Sequence, residues 1–204
     1  MEIPERIEQK YGADIFELIT VQTGEDSYSK AFSQIEALPQ ASVILFLGHG
    51  TGEKLYGAES NSFPKKSLIN KSQAKVFSEK FIFLLSCNSN DFIKGTFSFS
   101  KAISSIGFGS LPTEMAEVEN SKRLKEQGVN KETINKYKNS MIELVSDSFC
   151  DMIESKLSFS QLGNSFLLRL NKKISQVILE DTTSKDNRIL ADLLFQMKSE
   201  MIFI

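Results

Sequence analysis

The chain contains one histidine and two cysteines in 204 residues. Cys-and-His zinc-finger ligand sets are thereby excluded. Neither cysteine sits in a C-x-x-C spacing that would read as a redox or metal motif. No sign of charge dominates either. Lys and Arg number 24 against 26 Asp and Glu, for a net charge of −2. Without a long basic stripe, the electrostatic footprint of a nucleic-acid binder is missing, and no direct nucleic-acid binding is expected. The short basic pairs Lys65-Lys66 and Lys172-Lys173 read as solvated surface. No apolar run approaches the length needed to cross a bilayer. The opening Met1-Glu2-Ile3-Pro4-Glu5-Arg6 is charged and has no apolar core of a secretory signal. The cytosol is therefore the expected location, with no membrane partner, and cysteine usage does not point to an oxidising compartment. There is no low-complexity tract and no internal repeat.

What is present is a pair of short, almost wholly apolar runs. Val43-Ile44-Leu45-Phe46-Leu47 ends in Gly48-His49-Gly50, and Phe81-Ile82-Phe83-Leu84-Leu85 ends in Ser86-Cys87-Asn88-Ser89. Such runs suit strands buried on both faces of a parallel sheet. Around them the pattern alternates. A helix is expected over 1–12, a strand over 15–22 and an amphipathic helix from Tyr28 to Leu38, closed by Pro39. The His-bearing strand spans 42–48 and a Gly/Ser-rich loop 49–62. A helix from Pro64 to about Glu79 leads to the Cys-bearing strand 80–86. A helix over 97–106 and a weak strand over 108–111 follow. Strand and helix in alternation mean an α/β fold with a mostly parallel sheet.

Beyond Thr113 the character changes. Residues 114–138 are rich in Lys, Glu and Asn, and read as an exposed charged helical insertion broken at Gly128. Met141 to Leu157, Leu162 to Ile178 and Ile189 to Met201 keep helical spacing, so residues 140–204 form a helical C-terminal part. Cys150 lies mid-stripe and reads as core. The whole chain, 1–204, is expected to form a single domain.

Ligands of open α/β sheets bind beyond the carboxyl ends of the strands, which is where His49 and Cys87 fall. A thiolate is a strong nucleophile even when sparsely populated at neutral pH. Its attack on an acyl carbon creates an oxyanion that needs fixed N–H donors. The backbone N–H groups of Gly50 and Cys87 could form that pair. His49 would protonate the leaving amine and then activate water. Ser86 and Ser89 stand as alternative nucleophiles, though neither matches a G-x-S-x-G elbow. The glycines of Gly48–Gly52 also invite a nucleotide-loop reading. They lack the G-x-G-x-x-G order, and Lys54 is followed by Leu55 where a phosphate loop needs Ser or Thr. Asp91, Glu114 and Glu117 are the carboxylates near enough in sequence to shape a pocket for a basic side chain.

At these residues the chain resembles the caspase-like (clan CD) cysteine peptidases, and within them the CHAT domains. The resemblance rests on Leu47-Gly48-His49-Gly50, on Leu55-Tyr56-Gly57, on Leu84-Leu85-Ser86-Cys87-Asn88, and on the late helices around Ser160-Gln161-Leu162-Gly163. It covers roughly residues 15–178. It implies a three-layer α/β/α caspase-hemoglobinase-like fold and endopeptidase activity by a His49–Cys87 dyad. The oxyanion donors would be the backbones of Gly50 and Cys87. No metal and no cofactor is implied. The partners implied are a protein or peptide substrate and a regulatory or sensor protein, in a bacterial defence or cell-death system. The alternative is a catalytically inactive caspase-like domain that binds and regulates a partner. Relatives often carry more chain, with a further strand, ahead of the His strand.

Overall fold

A computed structural model describes residues 2–204. By contacts the chain divides into two compact units. One is built from Met1–Ile15 and Ser110–Ser199, the other from Phe16–Gly109 and Glu200–Ile204.

The second unit holds the sheet. β1 (Val43–Leu47), β4 (Phe81–Leu85), β5 (Ser104–Gly107) and β6 (Ile202–Phe203) lie in that order. β1 and β5 run parallel to β4, and β6 pairs antiparallel to β5. The coarse expectation of an α/β fold with a mostly parallel sheet is met. Alternate residues of β4 point to opposite faces. Ile82 and Leu84 join a core with Tyr28, Ala31 and Ile35 of α2 (Glu25–Ala37) and Phe92 and Ile93 of α3 (Ser89–Ser100). Phe83 and Leu85 on the other face are equally buried, and the Phe83 ring meets that of Phe108 at 5.4 Å between centroids. Each such side chain contributes about 1.5–3 kcal/mol through burial.

Four expectations are corrected in this unit. Residues 15–22 form no strand: a short 3-10 turn, Ala13–Ile15, is followed by irregular chain outside any ladder. Ile19 and Val21 pack on the core cluster, whereas Ile15 and Leu18 stay 44% and 61% exposed. The apolar side chains there are satisfied by packing and not by a ladder, and β1 remains an edge strand. The stretch from Pro64 to Glu79 is not one helix. β3 (Ser67–Asn70) pairs antiparallel with β2 (Lys54–Tyr56), and only Lys71–Phe77 is helical, as 3-10 turns. Asn70 starts those turns through a capping box with Gln73, overriding the start signal at Pro64. The loop expected over 49–62 contains β2 for the same reason. Finally, 97–106 is split. The helix starts earlier, at Ser89, and ends where Lys101 adopts φ 56°. Ser104-Ser105-Ile106-Gly107 is strand, in place of the one expected over 108–111, because β4 supplies its ladder.

The first unit is helical. α1 (Ile3–Tyr11), α4 (Met115–Asn120), α5 (Lys122–Gln127), α6 (Lys131–Ser155), α7 (Phe159–Glu180) and α8 (Lys185–Glu200), whose last residue falls in the sheet unit, match the expected helices closely. Gly128 breaks the chain after α5 with φ 76°. α1 is tied to α6 by Lys10–Glu154 at 2.8 Å and by the Tyr11 hydroxyl donating to the Cys150 carbonyl. Arg169 of α7 bridges Asp147 and Asp151 of α6. Cys150 is buried, as expected. Residues 114–138 are not a solvated insertion. Val118, Leu124, Val129, Ile134 and Tyr137 are all buried, so the charged residues cover a real core stripe. No helix among the described residues is long and apolar enough to cross a membrane.

Leu124→Ala should therefore cost about 2–5 kcal/mol in urea unfolding. Lys122→Ala on the same helix should stay within about 0.5 kcal/mol. Equal, negligible effects would restore the solvated-insertion picture.

Candidate functional site

β1 and β4 pair in register, from Val43 opposite Phe81 to Leu47 opposite Leu85. The ladder continues one step further, with the Gly48 N–H donating to the Leu85 carbonyl at 3.5 Å. Both strands thus end at one level, and both chemistry-bearing turns leave from the carboxyl end of the sheet.

The His49 turn is a tight hairpin. The Tyr56 N–H donates to the His49 carbonyl at 2.9 Å, and the Thr51 N–H to the Lys54 carbonyl at 2.8 Å. Gly50 bridges Leu55 between them. The Thr51 hydroxyl oxygen accepts from the N–H groups of Glu53 and Lys54, both at 3.2 Å, closing the turn. His49 is exposed. Gly50 lies directly against the Cys87 turn: a Cβ placed on it would stand 2.7 Å from Ser86 Oγ and 3.1 Å from the Cys87 carbonyl oxygen. Only glycine allows this approach. Among the described residues the Gly50 N–H meets no acceptor.

The Cys87 turn is fixed from three sides. The Ser86 N–H donates back to the Leu84 carbonyl at 3.0 Å, and the Asn88 N–H to the Gly109 carbonyl at 2.7 Å. Asn88 adopts φ 54°, a left-handed conformation that asparagine tolerates, and turns the chain into α3. Ser89 Oγ donates to the Leu84 carbonyl at 2.8 Å and accepts from the Phe108 N–H at 2.9 Å, linking the ends of β4 and β5 to the helix start. Cys87 is half-buried and in no disulfide. It immediately precedes Asn88, the N-cap of α3.

The structure therefore brings the His49 turn and the Cys87 turn to the same end of the sheet, with Gly50 against Ser86 and the Cys87 carbonyl. Both serine alternatives are less accessible than Cys87: Ser86 is 2% and Ser89 0% exposed, and Ser89 Oγ is engaged with Leu84 and Phe108. The structure also removes the nucleotide-loop reading, because Gly48–Gly52 turns into a hairpin and not into a helix whose N-terminus could face a phosphate. Glu117 is committed to capping α4, accepting from the N–H groups of Thr113 and Glu114. Glu114 is its partner in that capping box. Asp91 lies beside the His49 hairpin, packed against Gly52 and paired with Lys94 at 3.6 Å. Among the described residues no group of His, Cys, Asp and Glu could hold a metal ion.

Sequence reasoning missed the β2–β3 hairpin and the Gly50–Ser86 contact. The alternation Lys54-Leu55-Tyr56, with Leu55 buried between two polar residues, was the available signal for the first. The second is a contact across two turns and has no local signal. No family model, no curated protein and no solved structure matches the chain.

Gly50→Ala should destabilise the protein by about 1–3 kcal/mol through overpacking on Ser86. Adding Ser86→Gly should recover part of that loss in chemical unfolding. An additive double variant would mean that the two residues do not touch.

Proposed function

We propose that the chain is a cysteine endopeptidase of the CHAT type, with a three-layer caspase-like fold and a His49–Cys87 dyad. One observation carries this reading: the in-register pairing of β1 and β4, which delivers an imidazole-bearing turn and a thiol-bearing turn to the same end of the sheet. The Cys87 thiolate attacks the peptide carbonyl carbon. The carbonyl oxygen takes the negative charge and is held by the N–H groups of Gly50 and Cys87. The imidazolium of His49 gives its proton to the leaving amine, and the C–N bond breaks to leave a thioester. Neutral His49 then takes a proton from water, whose oxygen attacks the thioester and releases the acid and the Cys87 thiolate. The substrate is a partner protein in the cytoplasm, and a sensor component controls access to it in a bacterial defence or cell-death system.

A second reading, an inactive scaffold that binds a partner, is favoured by one detail. Alternation along the strand sets the His49 side chain on the side opposite to the direction from which Gly50 meets Ser86 and Cys87.

Two measurements separate the readings. Cleavage mapping of a proteome-derived peptide pool should lose its products by at least about a thousand-fold in Cys87→Ala and by about a hundred-fold or more in His49→Ala, with both variants folded. Iodoacetamide should modify Cys87 faster than it modifies a free cysteine at the same pH. Slow alkylation, together with cleavage unaffected by either substitution, would leave the scaffold.

A further inference from the structure

The hairpin that carries His49 also carries positive charge with no ion pair among the described residues. Its antiparallel pairing sets His49 opposite Tyr56 and Thr51 opposite Lys54. Directly opposed residues share a face, so these four stand together, away from Gly50 and the buried Leu55. Lys65, which precedes β3, holds its ammonium 4.8 Å from the centroid of the Tyr56 ring. A cation over a ring face is attracted by the ring quadrupole, which also limits the freedom of a long side chain.

The neighbouring lysines are already matched. Lys66 pairs with Glu25, Lys71 with Glu53 at 2.6 Å, and Lys94 with Asp91. Glu59, the other acid of this loop, is exposed and pairs with neither Lys54 nor Lys65 among the described residues. Lys54 and Lys65 make no ion pair among the described residues. A chain of net charge −2 thus places two lysines without an ion pair and an aromatic ring on the hairpin of its one histidine.

We infer that this face, beside His49, reads an acidic side chain of the bound peptide. Lys65 and Lys54 take the carboxylate, and Tyr56 holds Lys65 in place. The inference rests on the reading of these two turns as a peptide site. The lysines determine specificity and take no part in the chemistry; charge complementarity of this kind selects partners and speeds encounter.

The test uses the full chain carrying Cys87→Ala, so that binding is read without turnover. The probes are a fluorescein-labelled peptide with three consecutive glutamates between Gly-Ser flanks, and its glutamine counterpart. At low salt the glutamate peptide should bind about five-fold more tightly, the scale of two screened ion pairs, and the difference should shrink as salt rises. Lys54→Glu with Lys65→Glu should abolish the preference, and Tyr56→Leu should weaken it. Lys122→Glu with Lys125→Glu, which reverses equal charge on α5, should leave it intact. Equal binding of the two peptides, or equal loss in the α5 control, would overturn the inference. Cleavage is not read here, so failure of this inference and failure of the peptidase reading are separately visible.

Discussion

The in-register parallel pairing of β1 with β4 is the constraint on which the rest depends. Five consecutive pairs, from Val43 with Phe81 to Leu47 with Leu85, make the two strands end together. A slip of one residue would turn each side chain of a strand to the other face and separate the two turns along the sheet. Burial opposes such a slip. Ile82 and Leu84 are locked into one core and Phe83 and Leu85 are buried on the other face, so neither set can exchange with the other without exposing large apolar side chains.

Above that register the two turns are held by different means. The Cys87 turn is rigid because Leu84, Ser89, Phe108 and Gly109 bond around it, and because Asn88 accepts a left-handed backbone. The His49 turn is rigid because a hairpin folds back on it. The join between them is Gly50, whose missing Cβ lets backbone lie on Ser86 and Cys87. Ser86 Oγ is buried there without a hydrogen-bond partner among the described residues, a cost accepted at the centre of the site.

The parts of the fold legible in the sequence are those with a long period or an apolar run. α2, β1, β4, α6, α7 and α8 declare themselves, and so does the break at Gly128. What could not be read was fixed by partners distant in sequence. Ser104-Ser105-Ile106-Gly107 has no strand composition and is a strand because β4 lies beside it. β6 has two residues and therefore no periodicity. Residues 15–22 show the converse: strand-like composition without a ladder, because Ile19 and Val21 find core contacts directly. Of the site, His49, Gly50 and Cys87 were readable from their place after two apolar runs. The hairpin face with Tyr56 and Lys65 was not, since Lys65 comes nine residues after Tyr56 and meets its ring only once the chain has turned back.

The single histidine makes the central claim directly measurable. In a proton NMR spectrum at neutral pH, the imidazole C2–H signal of His49 has no counterpart elsewhere in the chain. If the two turns share a site, alkylating Cys87 will displace that signal, and the displacement will be absent from Cys87→Ala treated in the same way. A His49 signal that stays in place while mass spectrometry shows Cys87 fully modified would contradict the account.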